Sequence, residues 1–185
     1  AMMEHVWLKD FPNGEDIPEL EGRTVGIVGA GAIGQLVMKF LTGMDATCVF
    51  YDPYCQSSPW GTKVEDLADL VAASDVLSIH SRLSADTHHL IDRDLLARMK
   101  PSAILVNTAR SGLVDEEALL DCLEAGRIMG AAIDTFDREP LPADSRWLTL
   151  RNVTITSHLA GSTKDAFRKT PRMLSKRILT ALEEG

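Results

Sequence analysis

Short apolar runs alternate along this chain with longer stretches whose apolar residues recur every three or four positions. The runs predict strands and the longer stretches predict helices. Thr24–Val28 is an apolar run ending at glycine, as expected of a strand covered on both faces. A helix is predicted after it to about Leu41, with Gly43 as its stop, and then a second strand over 47–51. Residues 63–73 carry helical spacing in Val64, Leu67, Leu70 and Val71. Beyond them, 75–80, 103–106, 130–133 and 152–156 read as strands, and 92–99, 116–125 and 165–183 as helices. Strand–helix units repeated at this length predict an α/β fold, a doubly wound, mostly parallel sheet of Rossmann type with helices on both faces. Residues 1–22 show no clean period and contain Pro12, Asn13, Gly14 and Pro18, so they read as a lead-in or linker. There are no internal repeats or low-complexity segments, and one domain is predicted.

Composition narrows the function classes. Hydrophobic residues make up 45% and charged residues 25% of 185, which is ordinary globular composition. The formal net charge of -8 offers no electrostatic footprint for nucleic acid or an anionic membrane. No apolar run has membrane-spanning length. A small anionic substrate is still compatible with a local basic group. Cys48, Cys55 and Cys122 lack metal-ligand spacing and read as reduced thiols. His80, His88 and His89 have no cysteine or carboxylate at ligand spacing, so no metal is predicted. Trp147 reads as the packing anchor of a loop. Arg168, Lys169, Arg172, Lys176 and Arg177 read as the solvated face of the last helix.

The first candidate chemistry is Gly29-Ala30-Gly31-Ala32-Ile33-Gly34, a G-x-G-x-x-G between a predicted strand and a predicted helix. Gly29 allows the tight turn, Gly31 lets backbone approach a pyrophosphate, and Gly34 permits close helix–strand packing. The helix N-terminus then offers free N–H groups to phosphates. Asp52 ends the second strand eighteen residues beyond Gly34, where a carboxylate meets an adenosine ribose and repels a 2′-phosphate. The other reading of Asp52 is a turn residue before Pro53. Together these residues predict a dinucleotide-binding domain over 23–162, preferring NAD to NADP, with 163–185 as a C-terminal helix.

Three further residues follow three later strands: Arg110 after 103–106, Glu139 after 130–133 and His158 after 152–156. In open parallel sheets the carboxyl ends of strands carry the ligand site, so all three are expected on the rim that holds the glycine loop. Histidine moves a proton near neutral pH. A carboxylate beside it fixes one tautomer and favours the charged form. Arginine grips a carboxylate through two parallel hydrogen bonds. In isolation each has a structural reading: a loop histidine, a solvated arginine, a Glu-Pro turn.

From about Leu20 to the C-terminal end the sequence resembles the NAD-binding domain of the D-isomer-specific 2-hydroxyacid dehydrogenase family. The resemblance rests on 24–34, Tyr51-Asp52-Pro53-Tyr54, 95–101, 103–115, Gly130–Asp134 with Glu139-Pro140-Leu141-Pro142, and Asn152-Val153 with His158-Leu159-Ala160-Gly161. It implies His158 as acid/base, Glu139 as its partner, Arg110 as the ligand of the substrate carboxylate, and Asp134 as a contact near the nicotinamide. Ala32, Ile33, Pro53 and Thr108 are implied to line the cofactor site. The implied activity is hydride transfer between NAD(H) and a small D-2-hydroxy acid or 2-keto acid, in a cytoplasmic homodimer.

Two positions depart from the family pattern. Arg82 stands where many members have proline, and Ser111 interrupts the commoner Arg-Gly pair. Most of a substrate domain is also expected to be absent from the chain, which would then bind cofactor with little activity. The alternatives are an NAD(H)-sensing or corepressor-like protein on the same fold and an enzyme of another NAD-dependent class.

Overall fold

The structure, a computed structural model, describes residues 19–183. Of the lead-in, 1–18 lie outside the described residues. Thr24–Val28 (β1) is buried on both faces, and its alternating side chains serve two cores. Val25 and Ile27 pack with Met38, Ala46, Cys48 and Phe50 on the side of α1 (Ala32–Thr42). Val28 packs with Leu70, Val71, Leu77 and Ile79 on the other side, where α2 (Leu67–Ala73), α3 (Arg93–Leu96) and α4 (Glu116–Glu124) complete the larger core. A strand apolar on both sides needs helices over both, which is the doubly wound arrangement.

The remaining strands are β2 (Thr47–Tyr51), β3 (Thr62–Lys63), β4 (Val76–Ile79), β5 (Ile104–Asn107), β6 (Gly130–Ile133) and β7 (Val153–Ile155). All seven pair in parallel, in the order β3-β2-β1-β4-β5-β6-β7. The winding reverses between β1 and β4, which opens a crevice outside their carboxyl ends.

Two predicted helices are shorter than their periodicity. The expected helix over 63–73 begins only at Leu67, because Asp66 caps it by accepting the amide of Ala68 at 2.6 Å. Thr62 and Lys63 instead pair with β2. Likewise the stretch 92–99 is helical over Arg93–Leu96 alone, capped by Asp92. Lys100 precedes Pro101, a position that disfavours helical backbone, so the chain has already turned out of the helix.

Trp147 is buried and meets Phe136 edge to face at 5.7 Å. The final helix α5 (Lys164–Glu183) buries no residue, and Phe167, Met173, Leu174, Ile178, Leu179 and Leu182 are exposed along it. Its basic residues are exposed as well. Among the described residues no helix is long and apolar enough to cross a membrane.

Candidate active site

The three glycines of the loop between β1 and α1 answer to different constraints. Gly29 sits at φ 97°, and a Cβ there would stand 2.7 Å from the amide nitrogen of Ser81. At Gly34 a Cβ would stand 2.1 Å from the Gly29 carbonyl oxygen. Both positions are closed to other residues by the fold itself. Gly31 differs: its φ of -73° suits any residue, and a Cβ would meet nothing within 4 Å. Nothing in the chain requires glycine there, so the space it leaves suits a group that approaches the backbone from outside. Gly31 also precedes the first turn of α1, which has no side-chain cap. The amides of Ala32, Ile33 and Gly34 make no hydrogen bond among the described residues. Open amides at a helix N-terminus, with a small residue before them, form a cradle for an anion.

Asp52 lies beside this cradle, half-buried at the end of β2. Its Oδ2 accepts the amide of Ala30 at 2.8 Å, and its Oδ1 accepts those of Tyr54 and Cys55 at 2.8 and 3.0 Å. The carboxylate therefore holds both its own turn and the glycine loop. A cleft of about 1090 Å³ runs past Gly29, Gly31, Ala32, Ile33, Asp52, Pro53 and Tyr54. It joins a second cleft of about 820 Å³ lined by Thr108, Arg110, Asp134 and His158. Ile33, His80, Ser81 and Arg82 line both halves.

In the second half, Nδ1 of His158 lies 2.9 Å from Glu139 Oε2. The other oxygen of Glu139 accepts the amide of Phe136 at 3.0 Å. These hydrogen bonds, His158's first, hold the Glu139 carboxyl below the usual carboxylate range. His158 itself sits at φ 56°, in the left-handed region uncommon for residues other than glycine. Asp134 keeps it there. Buried at the end of β6, its carboxylate accepts the amides of Leu159 and Ala160 at 2.8 and 3.0 Å and the Thr156 hydroxyl at 2.5 Å. Burial pushes the Asp134 carboxyl up, but these hydrogen bonds prevail and hold it low.

Arg110 is exposed, and its Nη1 donates to the neighbouring Ala109 carbonyl at 2.6 Å. Its turn is set by Asn107, buried at the end of β5. Asn107 accepts the amide of Ala109 at 3.0 Å and donates to the Arg110 carbonyl at 2.9 Å. No role was expected of Asn107, though an asparagine two residues before a turn is a readable signal of this geometry. Among the described residues no group of three or more His, Cys, Asp or Glu side chains is arranged to hold a metal ion. His88 and His89 stack at 3.9 Å, and His80 Nε2 lies 2.9 Å from Ser78 Oγ.

A family model described as D-isomer specific 2-hydroxyacid dehydrogenase, NAD binding domain, matches residues 1–160. The chain belongs to the D-isomer-specific 2-hydroxyacid dehydrogenase family. It is 38% identical to the D-3-phosphoglycerate dehydrogenase of Mycobacterium tuberculosis, over 98% of this chain and 34% of that protein. The D-isomer specific 2-hydroxyacid dehydrogenase of Lactobacillus delbrueckii ssp. bulgaricus, solved with NAD, is 29% identical with a TM-score of 0.84, over 98% of this chain and 59% of that one. An acyclic imino acid reductase solved with NADPH and D-Arg is 28% identical with a TM-score of 0.87, over 99% and 58%. The chain thus spans about a third of the length of the first of these relatives and under two thirds of the other two.

The residues present fit the family's cofactor, NAD. The open cradle at Gly31 suits a pyrophosphate, and the cleft beyond Asp52 has room for a nucleoside.

Proposed function

We propose that this domain serves an oxidoreductase that moves a hydride between NAD(H) and a small D-2-hydroxy acid or 2-keto acid. The observation that carries this reading is that His158, paired with Glu139, lines the same cleft as Arg110. When bound, the nicotinamide supplies or accepts the hydride at C2 of the acid. His158 gives a proton to the C2 oxygen during reduction and takes one from the hydroxyl during oxidation. Glu139, hydrogen-bonded at Nδ1, orients the ring towards the substrate. Arg110 grips the substrate carboxylate, its fork turning from the Ala109 carbonyl to do so. Arg82 is a second guanidinium on this wall, so the cleft suits an anionic acid although the chain as a whole is acidic.

Asp52 selects NAD over NADP, because a 2′-phosphate would meet its carboxylate. Gly29, Gly31, Ala32, Ile33, Gly34, Pro53 and Thr108 shape the cofactor cleft, and Asp134 supports it from beneath. We read 23–162 as the cofactor domain and α5 as a separate element whose apolar residues suit a substrate domain supplied by further sequence. Leu36, Phe40 and Met44, exposed along and just after α1, support self-association as a homodimer. Three free thiols suit the cytoplasm.

The test is calorimetric titration of the chain with NADH and with NADPH, followed by assay of the full-length protein with 2-keto acids. Binding of NADH well above NADPH, with NADH oxidised and the D-hydroxy acid formed, is the expected result. Tight NADH binding without turnover of any 2-keto acid would replace this reading with an NAD(H)-sensing one.

A further inference from the structure

Glu116 is the first residue of α4, yet its carboxylate is turned away from its own helix. Asp115 caps that helix by accepting the Ala118 amide at 2.9 Å. Glu116 Oε2 instead accepts the amide of Asp137 at 2.9 Å, across 21 residues of sequence. Asp137 follows Phe136, whose own amide is held by Glu139. Two consecutive amides of one turn are therefore held by two glutamates, one from within the loop and one from α4. The glutamate within the loop is the partner of His158.

The surroundings give this contact a firm base. Glu116 is half-buried, and burial pushes its carboxyl up against the opposing pull of the Asp137 amide and the nearby Trp147 indole. The indole lies close to Glu116, but Nε1 makes no hydrogen bond of good geometry. Phe136, edge-on to Trp147, is buried beneath the turn. A second attachment lies further along α4, where Arg146 reaches Glu117, Asp121 and Glu124 at 2.6 to 2.9 Å. Arg146 secures the far end of the loop, whereas Glu116 secures the turn that aims Glu139.

We propose that Glu116 is a positioning residue, which fixes the Phe136–Asp137 turn so that the Glu139 carboxylate meets Nδ1 of His158. Its importance for turnover rests on the proposed function, but the contact itself is read without substrate. The test is carbon-detected NMR titration of Glu139 in the 185-residue chain, with amide exchange at Asp137 and the ring signals of His158.

In E116A, Glu139 is expected to titrate nearer the ordinary glutamate range, and Asp137 exchange to quicken by about tenfold, the scale of one lost hydrogen bond. E116Q keeps a carbonyl acceptor for Asp137 and should retain the native Glu139 titration. R146A removes the other attachment and should lower stability without moving Glu139. Should E116A fail to fold, E116D asks the same question, because it keeps the charge but is one methylene too short. The proposal is overturned if folded E116A or E116D leaves Glu139 and His158 unchanged, or if R146A shifts them equally. A wild-type protein that turns over no 2-keto acid would sink the catalytic reading and leave this result standing.

Discussion

Glu139 Oε2 stands 2.9 Å from Nδ1 of His158, and the backbone on each side of that contact is held independently. Glu139 is fixed through Phe136, and His158 through the amides that Asp134 accepts just after it. With Nδ1 on the carboxylate, Nε2 is the ring nitrogen left for substrate, on a side chain that lines the cleft. His158→Asn is the informative replacement, because asparagine tolerates the positive φ that alanine would strain. Glu139 is depressed chiefly by His158, so its pairing holds at neutral pH and is lost as pH falls through its folded pKa. H158N should raise the Glu139 titration towards the ordinary range by carboxyl NMR. In the full-length protein it should lower kcat by about 10²-fold or more while NADH affinity holds.

The glycine loop predicts opposite outcomes for two similar substitutions. Gly34→Ala drives a methyl into the Gly29 carbonyl, which must shift, and overpacking of this kind costs about 1–3 kcal/mol. Gly31→Val enters open space at an ordinary φ, so its melting temperature should stay close to wild type. Its NADH affinity, however, should fall by about tenfold or more, a loss of roughly 1.4 kcal/mol. Thermal melts beside NADH calorimetry check both. A Gly31 variant that binds NADH normally would remove the pyrophosphate from this cradle.

Asp52 holds three backbone amides, the proposed function adds NAD selection, and its variants should separate the two. Asp52→Ala leaves the amides of Ala30, Tyr54 and Cys55 without their acceptor, so stability should fall together with NADH affinity. Asp52→Asn keeps an acceptor oxygen but drops the charge that opposes a 2′-phosphate. Its NADH-to-NADPH affinity ratio should therefore narrow by about tenfold, with a smaller change in melting temperature than Asp52→Ala. An unchanged ratio would reduce Asp52 to the turn residue that its hydrogen bonds already make it.

What was legible in the sequence follows how local each signal is. The β1 run and the glycine spacing are contiguous, and they announce a buried strand meeting a helix N-terminus. The rim position of Arg110, Glu139 and His158 was also readable, since each follows a strand of a parallel sheet. Strand β3 was not, because two polar residues carry no periodicity and their pairing depends on β2. Nor were the attachments readable. The family resemblance implies Asp134 as a contact near the nicotinamide, but it carries no hint that its carboxylate also accepts amides 25 and 26 residues away. Glu116 stands in the first turn of a helix, where an acidic residue is ordinary, and only the folded loop brings Asp137 to it. Such contacts join loops whose approach is set by strand order, which no short window contains.

His80 predicts the pH dependence of stability on the acid side of neutrality. It lines both halves of the cleft, its ring bonded to Ser78, and burial holds its pKa below the ordinary histidine value of 6.5. The folded state therefore keeps it neutral at pH values where the unfolded chain takes up a proton. Stability from this group is complete above about 6.5 and falls as pH drops from there to its folded pKa, because the unfolded state binds more protons. His80→Gln keeps a polar side chain for Ser78 and removes the titration. Denaturant melts at pH 7.5, 6.5 and 5.5 should show wild type losing stability across the series. The variant, less stable at the top, should lose markedly less. Parallel curves for the two proteins would mean that His80 is protonated as readily in the fold as outside it, and that acid sensitivity arises from the other titratable groups.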